Sequence, residues 1–267
     1  MNLDALGRIK AFLLDLDGTL YLGDRLFPWT PEFLATLGRR GLRRIFMTNN
    51  SSRNAQTYAE KLRRLGVEAR PEEIITSGQS AVLYLRDHPE LGRLYVLGTE
   101  ALADEVRQAG REVVAERADA VLVGYATNLT FEALSGAALE LEHGARFLAT
   151  HPDRVCPDPR GFLPDCGAMC ACLTSATGRA PEEVFGKPSP WMLRLALERA
   201  GMKAQEMALV GDRLYTDIRM AVESGMPAVL VLSGETRRAD LADSEVQPDL
   251  VFDDVGALGR ALAALGR

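Results

Sequence analysis

A chain of 267 residues, 47% hydrophobic and 25% charged, is long enough for one large domain or two smaller ones and too apolar for a disordered segment. Its formal charge is −6, and its basic residues gather only in short pairs, Arg39-Arg40, Arg43-Arg44 and Arg63-Arg64. That balance excludes a nucleic-acid footprint, and the pairs read as solvated helix or turn residues.

Short apolar strands alternate with amphipathic helical segments, which predicts an α/β protein with a largely parallel sheet. The first strand is residues 11–16, and a helix follows over 31–40. A second strand, 45–47, runs into Thr48-Asn49-Asn50-Ser51-Ser52. The next helix spans 55–65, with Tyr58, Leu62 and Leu65 on one face and Gly66 past its end. A strand at 74–76 and a helix at 79–86 complete this part.

Residues 87–181 repeat the pattern on their own, with strands at 94–97, 112–114, 120–123 and 146–149 and helices at 101–109 and 131–142. The stretch 152–167 holds four prolines, Pro152, Pro157, Pro159 and Pro164, and reads as a long ordered loop. Cys156, Cys166, Cys170 and Cys172 lack the spacing of a zinc ribbon and are expected as free thiols. Beyond Gly186-Lys187-Pro188 come a helix at 191–200, a strand at 208–210, a helix reaching 223, strands at 228–232 and 250–252, and a C-terminal helix. The order fits a domain of residues 87–181 inserted between core segments 1–86 and 182–267. No apolar run approaches a membrane span, and Met1-Asn2-Leu3-Asp4 lacks a basic segment followed by an apolar one. A cytoplasmic protein with no membrane partner is expected.

The chemistry gathers at strand ends. Side chains alternate along a strand, so Asp15 and Asp17 leave the first one close together and repel unless a cation lies between them. Gly18 allows a sharp turn and Thr19 offers a hydroxyl to hold it. In an open parallel sheet, ligands sit outside the carboxyl ends of the strands, so Thr48, Asn49 and Asp212 are expected to converge there, joined by Lys187 near a helix start. Asp15 is ionised at neutral pH and can attack phosphorus directly, and Asp17 can exchange the proton of the leaving oxygen and of water. Asp15 and Asp212 offer hard oxygens for Mg²⁺, with the Asp17 backbone carbonyl as a further ligand. Thr48, Asn49 and Lys187 suit the phosphoryl oxygens. Asp217 either orients a metal-bound water or caps the following helix.

In order, DLDGTL, TNNSS, GKPSP and GDRLYTDI resemble the four motifs of the haloacid dehalogenase superfamily of phosphatases. With YLGDRLFP after the first motif, the pattern is similar to its NagD-like, p-nitrophenylphosphatase branch. The resemblance covers nearly the full chain and implies a Rossmann-like core with an inserted α/β cap of class II type. It implies Asp15 as nucleophile, Asp17 as acid/base, Thr48 and Asn49 as phosphate binders, Lys187 as the charge-balancing lysine and Asp212 as metal ligand. Asn50, in the second motif, is added as a substrate-side residue. Expected partners are a small phosphorylated metabolite and, at family level, a second copy of the chain through the cap. In such caps the 152–167 segment approaches the active site, which makes His151, where the family often has asparagine, and Cys156 substrate-side candidates; packing or turn formation is the other reading of that loop. A phosphotransferase, or a non-catalytic binding protein of the same fold, is the alternative; the intact set Asp15, Asp17, Lys187 and Asp212 speaks against the latter.

Overall fold

The computed structural model describes residues 4–158 and 160–265; Met1, Asn2, Leu3 and Pro159, used in the reading above, lie outside the described residues. The chain divides into two compact units, one of Met1–Thr48, Ala59–Ile75 and Leu193–Arg267, the other of Asn49–Tyr58 and Thr76–Met192.

The first unit is built on a six-stranded sheet in the order Leu250–Phe252, Ala228–Val231, Met207–Gly211, Ala11–Asp15, Arg43–Thr48, Ile74–Thr76. The paired strands from Leu250–Phe252 to Arg43–Thr48 run parallel. Phe12, Leu13, Leu14, Ala208 and Val210 are wholly buried, which is why these strands read as unbroken apolar runs: a parallel sheet covered on both faces has no polar side. Helix Thr30–Arg39 starts with Pro31 in its first turn, where a missing N–H costs nothing, and buries Phe33, Leu34 and Leu37. Phe33 packs against Gly259 of the C-terminal helix Val255–Ala264, whose first turn is held by Asp254 accepting from the Ala257 N–H at 2.8 Å.

The second unit carries a five-stranded sheet, Glu183–Val184, Arg146–Ala149, Ala120–Val123, Arg93–Leu97, Glu112–Val113, all parallel. The period-two alternation sorts its side chains into two cores. Val121, Val123 and Phe147 pack with Leu141, Met169 and Leu173, while Ala120, Leu122 and Leu148 pack with Tyr84, Leu85, Leu102 and Val106.

The loop expected over 152–167 is corrected. Residues Val155–Asp158 and Gly161–Pro164 form an antiparallel hairpin, with Cys156 opposite Leu163 and Pro157 opposite Phe162. A two-stranded ribbon leaves one side of each strand unpaired, so Pro157 and Pro164 break no ladder bond that the hairpin needs. Helix Cys166–Thr177 was not anticipated either. Its residues are apolar or small almost all round, so it lacks the stripe that periodicity detects, and its start is fixed by Asp165 accepting from the Cys166 N–H at 2.6 Å. The four thiols are free, as expected. No helix among the described residues is long and apolar enough to cross a membrane.

Glu105, on helix Glu100–Gln108, makes no ion pair among the described residues, and burial pushes its carboxyl from the ordinary 4.5 up to about 7. The folded state therefore holds a proton that the unfolded chain has released between those values. Its stability falls as pH rises from 4.5 to 7 and stays low above that. Glu105→Gln is expected to remove this slope and to stabilise the protein at pH 8 by about 1–3 kcal/mol. Urea denaturation at pH 5 and pH 8 checks it; an unchanged pH dependence would refute the assignment.

Candidate active site

Register brings three chemical residues of the first unit to one sheet edge. Asp15 lies across from Met47, and Leu14 from Val210, so Thr48 and, one residue past the Met207–Gly211 strand, Asp212 emerge beside Asp15. Past Asp15 the chain turns at Gly18, whose φ of +87° favours glycine, with the Gly18 N–H donating to Tyr21 O at 2.8 Å. The Thr19 hydroxyl donates to Asp15 Oδ2 at 3.2 Å, and Ser233 Oγ donates to Gly18 O at 2.8 Å.

Asp212 sits in a cradle of backbone. A side chain at Gly18 or Gly234 would collide with its carboxyl group, so both positions need glycine. One oxygen, Oδ2, accepts from the Glu235 N–H at 2.7 Å, whereas Oδ1 is buried with no hydrogen-bond partner. Asp15, Asp212 and Asp217 each offer an oxygen within 4.8 Å of the others. Burial, then the neighbouring Asp15 and Asp217 carboxylates, hold Asp212 well above the usual carboxylate range. Three carboxylates gathered together, one of them with a buried and unpartnered oxygen and none replaced by a nitrogen or sulfur donor, fit a hard divalent cation. Asp217 belongs to a π-turn, Leu214–Ile218, and also accepts from the Arg213 N–H at 3.2 Å; its carboxylate joins the acidic group and ties the turn at once.

Asp17 faces different neighbours. Burial raises its carboxyl to about 6; Lys61 opposes that rise, Asp15 adds to it, and a hydrogen bond from Tyr21 and the charge of Arg213 oppose it further. A carboxyl titrating near neutrality is suited to giving and taking a proton. Lys61 is buried, its Nζ 4.0 Å from the Tyr21 ring centroid. Sequence reasoning missed Lys61 and Tyr21. The signal was present: Lys61 falls three residues after Tyr58 and one before Leu62, inside the apolar stripe of its helix.

The second unit gathers another set of the expected residues. Asn49 uses its side-chain amide on protein, accepting from the Lys187 N–H at 2.7 Å and donating to Lys187 O at 3.2 Å and Asp153 Oδ1 at 3.4 Å. The Ser77 hydroxyl donates to the Asn49 carbonyl. Asn50 Oδ1 accepts from the Ser52 N–H at 2.9 Å and from its hydroxyl at 2.6 Å, a local turn bond. His151 is fully buried, with Nε2 2.9 Å from Asp165 Oδ1 and Nδ1 3.1 Å from Thr150 Oγ1. Burial disfavours its charged form, yet Cys166, Asp153 and Asp165 outweigh that and push it up to about 9. His151, Asp153 and Asp165 lie within 4.8 Å of one another. Cys156 stands apart from this group on the hairpin, half-buried, its thiol 3.8 Å from Pro157 O.

A family model described as haloacid dehalogenase-like hydrolase matches residues 12–112, and one described as HAD-hydrolase-like matches residues 184–258. The chain is 35% identical over 257 residues to an acid sugar phosphatase of Staphylococcus aureus (strain MRSA252), covering 96% of this chain and 98% of that protein. Among solved structures, a 4-nitrophenylphosphatase from Thermotoga maritima superposes with a TM-score of 0.92 at 40% identity, over 97% of this chain and 99% of that one. A glycerol phosphate phosphatase from Mycobacterium tuberculosis, solved in complex with magnesium, gives 0.87 at 36% identity over 96% and 78%.

Proposed function

The chain belongs to the haloacid dehalogenase-like hydrolases and is a phosphatase of the NagD-like kind, and from that membership we propose that it hydrolyses small phosphomonoesters, sugar phosphates among them, through a phosphoryl group carried on Asp15. Asp15 attacks phosphorus, and the bond from phosphorus to the ester oxygen breaks as Asp17 gives that oxygen its proton. Asp17 then takes a proton from water, whose oxygen attacks phosphorus and frees Asp15 and inorganic phosphate. Thr48, the Asn49 backbone N–H and Lys187 hold the phosphoryl oxygens. Mg²⁺ would be held by Asp15, Asp212 and the Asp17 carbonyl, with Asp217 beside them, and when bound it offsets the negative charge of carboxylates and phosphoryl group. Residues 87–181 serve as the cap and the route to a homodimer, a reading supported by the exposed Phe131 and Leu139 on helix Phe131–Glu142. The doubly bonded, buried ring of His151 supports a role in positioning the Lys187 segment through Asp153 and Asn49 rather than touching substrate.

The observation that carries this reading is the unpartnered, buried Oδ1 of Asp212 beside Asp15 and Asp217. A phosphate-release screen with Mg²⁺ over sugar phosphates, glycerol phosphates, nucleoside monophosphates and p-nitrophenyl phosphate tests it. Turnover of sugar phosphates with release to water is expected. Inactivity on the whole panel, or transfer mainly to an added alcohol, would overturn it.

A further inference from the structure

Far from those carboxylates, the pair Arg43-Arg44 and Arg63 of a second pair, which looked like ordinary solvated residues, meet two further arginines, Arg70 and Arg199. Arg43 and Arg44 open the strand Arg43–Thr48, roughly 16 Å along it from the end that carries Thr48. There a cleft of about 460 Å³ is lined by Arg43, Arg44, Arg70 and Arg199 over an apolar floor that includes Leu42 and Ile45. A second hollow of about 490 Å³ adjoins it, shares Arg44, Arg70 and Glu73, and adds Arg63. Five arginines thus surround two connected hollows in a chain whose formal charge is −6.

Their charge is only partly neutralised. Glu73 alone pairs, and it is shared: its Oε1 lies 3.9 Å from Arg44 Nε and its Oε2 3.4 Å from Arg70 Nε. Among the described residues Arg43, Arg63 and Arg199 make no ion pair; Glu72 lines the first hollow and Glu68 the second, both with exposed side chains, so five arginines face three glutamates. Instead, backbone carbonyls fix the guanidinium groups. Arg43 Nη1 donates to Ala200 O at 2.7 Å, Arg44 Nη2 to Glu68 O at 2.5 Å, and Arg199 Nη1 to Glu72 O at 3.0 Å. A carbonyl spends one N–H of the fork and none of the charge, leaving the remaining N–H groups oriented for a bidentate acceptor. Tying loops together accounts for those single bonds, but not for five cations around one pair of hollows.

We propose that this cleft is a binding site for a small polyphosphorylated anion, with adjacent phosphoryl groups seated in the two hollows on either side of Arg44 and Arg70. Guanidinium forks match phosphoryl oxygens in shape as well as charge, and the paired hollows favour a diphosphate over a single phosphate. The site lies at the amino-terminal end of a parallel strand, away from the edge where α/β folds bind substrate, so its occupancy is separable from turnover.

Titration calorimetry with inorganic pyrophosphate, Mg²⁺ in excess, tests this on the full chain. Arg63→Glu/Arg70→Glu reverses two exposed charges without touching the carbonyl ties of Arg43, Arg44 and Arg199, and Arg44→Gln/Arg70→Gln serves as the milder second variant. Each is expected to weaken binding about tenfold or more while kcat/KM for p-nitrophenyl phosphate stays within about twofold of wild type, and higher ionic strength should weaken the wild-type complex. Equal pyrophosphate affinity in wild type and both variants, or no binding by the wild type, would overturn the proposal.

Discussion

Asp15→Asn is expected to lower kcat for p-nitrophenyl phosphate by about 10⁴- to 10⁶-fold, the range seen when a covalent nucleophile is removed. An amide oxygen has almost the shape of the carboxylate it replaces and still accepts from the Thr19 hydroxyl, so the turn at Gly18 survives. It has no charge with which to attack phosphorus. Because Asp15 is one of the two carboxylates that push Asp212 upward, the variant should melt at or above the wild-type temperature in metal-free buffer. Acid-quenched wild-type enzyme should carry a phosphoryl group on the peptide containing Asp15, and the variant none. A variant that turns over at the wild-type rate would end the proposed mechanism.

The second large effect is a reversal of sign. Buried Asp212, crowded by Asp15 and Asp217, destabilises the metal-free fold, so Asp212→Asn should raise the melting temperature in the presence of a chelator. With Mg²⁺ added, the order should invert. A ligand at one hundred times its Kd stabilises the state that binds it by about 2.7 kcal/mol, and the variant forfeits that gain. Activity should fall by about 10²- to 10³-fold or more, both in the variant and in wild-type enzyme stripped of metal, with only the latter restored by Mg²⁺. Thermal denaturation with and without Mg²⁺ reads the crossing; two parallel curves would remove Asp212 from the metal site.

Much of this was written plainly in the sequence, for reasons that can be named. The strands of the larger sheet are buried on both faces, so Phe12, Leu13 and Leu14, or Ala208, Leu209 and Val210, stand out as apolar runs, and the polar groups at their ends mark the edge where they meet. The 155–164 hairpin was hidden because prolines and glycines argue for loops, and only three-dimensional pairing shows which N–H groups a short ribbon can spare. Helix Cys166–Thr177 was hidden by its even composition. Lys61 was obscured by its neighbours Arg63 and Arg64, where one buried cation looks like the two solvated ones that follow it. Motif reading singles out Asn49, but a motif cannot say which end of a residue is in use; its side chain is spent on Lys187 and Asp153. Arg43, Arg44, Arg63, Arg70 and Arg199 are scattered along the chain and acquire meaning only where folding collects them.

The amide clamp between Asn49 and the backbone of Lys187 joins positions 138 residues apart. During synthesis Asn49 leaves the ribosome long before its partner exists, and the clamp closes only after the intervening segment has folded and returned the chain to the same place. The Lys187 backbone is therefore fixed late, by the completion of the fold itself. A nascent chain that displays only the first two motifs has neither that clamp nor Asp212 and Asp217, so the acidic group beside Asp15 is likewise assembled only when the chain is nearly finished.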